Sequence, residues 1–470
     1  MARLFTERLW ATLPGRLRLA RAACGLIASA LLILLAVAAT GAATAWDETA
    51  RHDGPRTVSA TQLNLALNDM DAQTANILLS SGDSGTGAGR LEESYSKAGD
   101  LYRDAQDTIS RSLRTLAAAS EGDPDTEATV VRLTDEFTHY QELIGRVLEN
   151  DSRPGGKDAA RVDYRTATDL LTGRLLPEAR KLVDANDAVY ERGYAAARSD
   201  LAVQRTAEAV LGVLLIAVLV LLQIRLARHF NRVFNPGLIA ATLCAVVAVV
   251  CGAQMLATEY DRMKVARRDS FDSVIALSRS KAVGYDVNAD ESRYLLDPER
   301  RPAYERSFLD KSQQLYGMEG ATLATYDAKL DETWAAYLKS HEDKRFTGEF
   351  RRELDNVTFA GERVAAERTV AAYAVYQRDD RTFRRLVAEG KTKEATVFSI
   401  GWASDTSNAH FGEWMKALDE VTAINQKHFD LAVREGRGAV TTQAPMAAAA
   451  LLLTAGLTAL GLRRRLAEFR

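Results

Sequence analysis

The chain has 470 residues, 47% of them hydrophobic but only 7% aromatic, with 9 prolines and 3 cysteines. Apolar content drawn largely from Ala, Leu and Val suits helices, and 26% charged residues alongside it exclude a disordered chain. A net charge of −3 gives no basic field for nucleic acid, and three cysteines cannot build a disulfide scaffold.

In chain order, a basic start (1–21) leads into a first apolar window at 22–46. Further windows follow at 207–226, 237–258 and 441–462, the last rich in Ala and carrying Pro445. Each reaches the ~20 residues that cross about 30 Å of hydrocarbon as a helix. A basic start before an apolar run also fits a secretory signal peptide, but the run is long and three more windows follow. Twelve arginines sit in 1–21, 225–236 and 463–470, among them Arg16, Arg18, Arg225, Arg228, Arg232, Arg463, Arg464 and Arg465. The positive-inside rule puts these short segments in the cytoplasm. The expected protein is multi-pass in the plasma membrane with both termini cytoplasmic, and 47–206 and 259–440 face outward.

Both long segments read as helices. The first offers 57–81, 91–120, 127–150 and 158–206, separated by GDSGTGAG (82–89), EGDPD (121–125) and SRPGGK (152–157). Leu91, Tyr95, Ala98, Leu101, Tyr102, Ala105, Ile109 and Leu113 recur at three and four, the stripe of a half-buried helix. The second repeats the plan: a helix to Leu296, then 302–341, interrupted at Gly317 and Gly320, then 346–389 and 393–440. Sustained alternation of period two is missing, so the fold class is all-α. Four long helices per segment make two extracytoplasmic up-down-up-down four-helix bundles. Residues 71–79 (DAQTANILL) align without gaps on 288–296 (NADESRYLL), which points to a tandem repeat.

Catalytic chemistry finds little support. GDSG at 82–85 resembles a serine-protease motif but lacks the sheet scaffold, and a Gly/Ser turn explains it better. The six histidines are scattered without metal-ligand spacing, and His410 with Glu413 is only a lone i,i+3 pair. No enzyme activity, cofactor or metal site is expected. The spans carry no ionisable residue near their centres, Glu208 lying at an edge, which argues against a transport path. Small residues at Ala449, Ala455, Gly456 and Ala459 fit intramolecular helix packing or a homodimer seam.

The two outer segments differ. Counted over Trp46–Thr206 and Thr258–Val440, the first carries net charge −9 and 8 aromatics, the second −3 and 21. Aromatics and arginines favour recognition, so Asp290, Glu291, Arg293, Tyr294, Arg300 and Trp402 are the candidate ligand- or partner-binding cap. Packing of such aromatics inside the bundle is the plainer alternative. Arg225, Arg228, Arg232, Arg463, Arg464 and Arg465 are candidates for contacting anionic lipid or a cytoplasmic partner.

The order span, bundle, two spans, bundle, span, together with residues 285–298 (YDVNADESRYLLDP), resembles the actinobacterial GlnX-type membrane sensors. The bundles also resemble the four-helix sensor domains of bacterial chemoreceptors, as a fold analogy. The first resemblance implies an amino-acid signal (glutamate, glutamine or aspartate), received through a GlnH-like solute-binding lipoprotein and passed to a PknG-like cytosolic kinase. With only about 40 residues expected in the cytoplasm, any output needs a separate protein. The competing expectation is a non-switching envelope scaffold or transporter-associated subunit.

Overall fold

The computed structural model describes residues 13–82, 85–230 and 235–467. The fold is all-α. Among the described residues the extended pairings are two isolated bridges, Ser81 with Arg90 and Gly317 with Thr347. Fourteen helices are traced below in chain order among these residues.

Helix α1 (Leu13–Glu48) passes through a π-helical turn, Thr49–Asp53, into α2 (Gly54–Ser80). Then come α3 (Glu92–Ala119), α4 (Pro124–Ser152) and α5 (Lys157–Leu170), and a π-helical turn, Leu171–Leu175, leads into α6 (Leu176–Phe230). The second half begins with α7 (Pro236–Lys264), which passes through the π-helical turn Val265–Phe271 into α8 (Asp272–Leu296). Next are α9 (Arg301–Leu315), α10 (Tyr326–Lys339), α11 (Glu349–Asn356), α12 (Glu362–Ala388), α13 (Thr392–Ile400) and α14 (Ser407–Ala467).

The breaks of the first half fall where Gly and Pro predict them. Asp123 caps α4 by accepting from Thr126 N at 3.3 Å, with Pro124 supplying a first-turn residue that needs no N–H. The second half is more interrupted than its hydrophobic pattern predicts. The expected 346–389 helix splits at Gly361, whose φ of 85° is left-handed. The expected 393–440 helix splits at 401–406, where Thr406 Oγ1 donates to Gly401 O at 2.7 Å.

The chain divides into two compact units. The apolar unit takes residues up to Arg51, Tyr190–Arg267 and Asp430 onward. Four helices, within Gly15–Ser80, Lys157–Arg228, Pro236–Leu296 and Ser407–Arg463, are long and apolar enough to cross a membrane. Cys24, Ala28, Leu31, Leu35, Ala38, Ala42 and Trp46 form one buried stripe of α1, while Leu26, Ile33 and Val37 on its other faces are exposed. Leu243, Leu452 and Leu460 are exposed in the same way. Helices with packed interiors and exposed Leu, Ile and Val suit a hydrocarbon solvent. Small residues set the spacing: a Cβ at Gly237 would stand 3.2 Å from Gly461 Cα, and one at Gly436 would meet the Trp46 ring at 2.4 Å.

The polar unit joins 52–189 and 268–429, so both predicted outer segments share one compact body. Helices α2 and α8 are buried on nearly all faces; α2 packs on α3 and α8, while α8 also meets α9 and α11. One core is mostly aliphatic and crosses the halves, bringing Leu67, Ile109, Leu133 and Leu171 together with Tyr294, Leu296 and Phe383. The other belongs to the second half and is aromatic, centred on Phe308, Tyr326, Trp334, Tyr373 and Trp414.

Candidate functional site

The stretches aligned as a repeat lie on α2 and α8, the two central helices. Their contact carries a buried ionic seam. Arg293 donates to Asp71 Oδ2 from Nη2 at 2.5 Å and from Nε at 3.2 Å, and to Asp290 and Asp286 from Nη1 at 2.6 and 3.2 Å. Lys311 of α9 reaches Asp290 at 2.6 Å and Asp286 at 2.8 Å. Tyr140, Tyr164 and Thr168 donate to Asp71 at 3.0, 3.2 and 3.4 Å. Ser292 donates to Asn76 Oδ1 at 2.8 Å. Burial works against the Asp286 charge, yet Lys311 and Arg293 hold its carboxyl down at about 2. Burial and the Asp71 charge both push the Tyr140 and Tyr164 hydroxyls well up, so they remain donors.

The cap expected at the surface is largely inside this seam. Asp290, Glu291 and Arg293 are buried, at 1%, 0% and 2% exposure, and Tyr294 is 9% exposed. Tyr294 joins the core shared with the first half, where the Arg301 and Arg384 guanidinium groups each sit 4.9 Å from its ring centre. Arg300 pairs with Asp169 of α5 at 2.7 Å, and Lys97 of α3 lies 3.3 Å over the Trp402 ring. Each of Arg293, Tyr294, Arg300 and Trp402 therefore meets the first half of the same chain. In the structure the contacts of these residues are made within the chain. Arg225, Arg228 and Arg463 are exposed, whereas Arg232 and the side chains of Arg464 and Arg465 lie outside the described residues. So do Asp83 and Ser84 of the GDSG motif.

Beside the seam, polar groups are less well matched. Glu291 Oε1, Asp380 Oδ1, Asn288 Oδ1 and Tyr376 Oη are buried without a hydrogen bond. Burial and the neighbouring Asp380 push the Glu291 carboxyl well up. His410 Nδ1 lies 2.7 Å from Asp379 Oδ2, a partner on α12 rather than Glu413 of its own helix.

A cleft of about 440 Å³ opens elsewhere in the polar unit, lined in part by Ser273 and Arg279 of α8 and by Arg352, Glu353 and Asn356 of α11. Glu353 is 3% exposed, and neither of its carboxylate oxygens closes a hydrogen bond. Burial, with the Glu362 charge adding to it and Ser273 opposing, pushes the Glu353 carboxyl up to about 7. Sequence reading missed this residue because RRELDN reads as an exposed polar helix. Asp71 was more legible: with Asn64 and Asn68 it makes an i, i+4, i+7 polar stripe on a helix rich in small and apolar residues.

In the apolar unit, Glu208 is 2% exposed with Oε1 unbonded, and Glu259 accepts from Trp46 Nε1 at 2.5 Å. Among the described residues no group of three or more His, Cys, Asp or Glu is placed to hold a metal ion.

Residues 45–195 match the family model of an actinobacterial sensor domain. The matched span contains Asp71, Tyr140 and Tyr164 of the ionic seam. No curated protein and no solved structure matches the chain. A sensor domain together with four helices able to cross a membrane points to a multi-pass membrane sensor.

Proposed function

We propose that this protein senses an extracytoplasmic amino-acid signal of the glutamate, glutamine or aspartate type. The signal arrives with a GlnH-like solute-binding lipoprotein and leaves through a PknG-like cytosolic kinase, with both termini of the sensor in the cytoplasm. The observation that carries the reading is helix continuity. Helices α6 and α14 run unbroken from residues of the polar unit into residues of the apolar unit. The other two passages, α1 to α2 and α7 to α8, each go through a π-helical turn.

A π-helical turn interrupts the regular α-helical register and is often found at functional positions. Packed helices with discrete arrangements can convert a small change at one end into a shift at the other. The turns stand at matching places: the offset of 217 positions between Asp71 and Asn288 carries Thr49–Asp53 onto 266–270, within Val265–Phe271. This equivalence supports a tandem repeat in which α2 and α8 are counterparts.

Membranes solubilised with and without glutamate, glutamine or aspartate test the relay by co-purification on the tagged full-length protein. A solute-binding lipoprotein and a cytosolic kinase should be recovered, at least one of them in an amino-acid-dependent way. Recovery of permease or division proteins irrespective of amino acid would favour the scaffold reading instead.

A further inference from the structure

Glu353 and Glu362 are both buried, at 3% and 0% exposure. Glu362 Oε2 accepts from the backbone N–H groups of Thr358 and Phe359 at 2.7 and 2.8 Å, a cap for the start of α12. Its Oε1 and both oxygens of Glu353 have no hydrogen bond. Near them Asn356 Nδ2 donates to Ser273 Oγ at 2.9 Å, which fixes that hydroxyl at the wall of the cleft. A fold that only needed to fill this space would place an amide or an apolar side chain here, because a buried carboxylate whose one neighbouring donor is the Ser273 hydroxyl costs several kcal/mol.

The missing counterpart is a hydrogen-bonding cation. Among the described residues no three-ligand metal cluster lies there, and a compact organic cation is the counterpart argued below. The rest of the lining carries both signs, with Asp187, Asp272 and Asp355 beside two arginines. Arg279 and Arg352 line the same cleft, each giving one nitrogen to an acid, Asp184 at 2.9 Å and Glu349 at 3.0 Å. A guanidinium has five donors, so both retain capacity for a carboxylate.

We propose that this cleft binds a small zwitterion of amino-acid to dipeptide size, its ammonium on Glu353 and its carboxylate on Arg279 and Arg352. A volume of about 440 Å³ suits such a ligand. The site belongs to the sensor chain itself, so it stands whether or not a binding lipoprotein delivers the signal.

Calorimetric titration of the full-length protein in nanodiscs tests it. The probes are glycine, L-alanine, L-lysine, L-glutamate and glycylglycine, with the N-acetyl derivative and methyl ester of whichever binds tightest. At least one free zwitterion should bind. Acetylation removes the ammonium and should weaken binding about tenfold or more, and the ester should retain part of it. Glu353→Gln should lose about tenfold or more in affinity while melting at a higher temperature than the unliganded parent. Absence of binding by every probe, equal binding of the N-acetyl derivative, or undiminished binding by Glu353→Gln would each overturn the proposal. A lower melting temperature for Glu353→Gln would also overturn it, since that is what a purely structural carboxylate predicts.

Discussion

Two buried acids of the polar unit have opposite surroundings. Asp71, 0% exposed, accepts from Arg293, Tyr140, Tyr164 and Thr168. Glu353, 3% exposed, sits at a cleft with neither oxygen hydrogen-bonded. Burial alone does not distinguish them; the count of donors does. A matched buried charge fixes how two helices meet, because every alternative register breaks several charged hydrogen bonds. An unmatched one destabilises the empty fold, and natural proteins keep such groups chiefly where function requires them.

The contrast can be broken most forcefully at the seam. Arg293→Ala takes the cation from Asp71 and leaves Asp286 and Asp290 to Lys311 alone, and should cost about 3–5 kcal/mol, seen as loss of folded protein or a steep fall in chemical-denaturation midpoint. Replacing Arg293 and Asp71 together with Met and Leu should recover much of that loss, since apolar isosteres of a buried pair are often neutral. Glu353→Gln should move stability the other way, raising it by roughly 1–3 kcal/mol in the absence of ligand.

The two regions should also respond oppositely to pH. The Glu353 carboxyl lies near 7 when folded against 4.5 ordinarily, so the folded state holds its proton longer than the unfolded one. Its contribution therefore falls as pH rises from about 4.5 to about 7, and the stability gap between Glu353→Gln and the parent should widen across that window. Asp286, held at about 2 against 3.8, stabilises the fold above 3.8 and loses that effect as pH falls toward 2. Melting curves of both proteins from pH 4 to 8 would show the first trend; a constant gap would contradict the assignment of an unpaired carboxylate. The smallest change is expected at the exposed edge of the seam. Arg300→Ala, which removes a half-exposed pair with Asp169, should shift stability by less than about 1 kcal/mol.

The extent to which the sequence was readable follows the range of the forces involved. Capping at Asp123-Pro124, the Gly-rich breaks of the first half and the four apolar runs are local signals, and the structure places helices accordingly. The breaks at Gly361 and at 401–406 were missed because their flanking helices have apolar spacing that continues across them. The cap of Asp290, Glu291, Arg293 and Tyr294 had the composition of a recognition surface, and composition cannot say whether the surface recognised is foreign or the other half of the chain. Glu353 carried no signal at all, since its exposure depends on where Ser273 and Glu362 come to lie.

By itself, then, the sequence determined the helical class, the four spans and the polar segments between them, because hydrophobic length and periodicity act within about 20 residues. Tertiary structure alone decided that both polar segments form one compact body, that Asp71 meets Arg293 across 222 positions, and that Glu353 stays unmatched. Those outcomes depend on which donors reach which acceptors, a matter of three-dimensional distance that residue order does not specify.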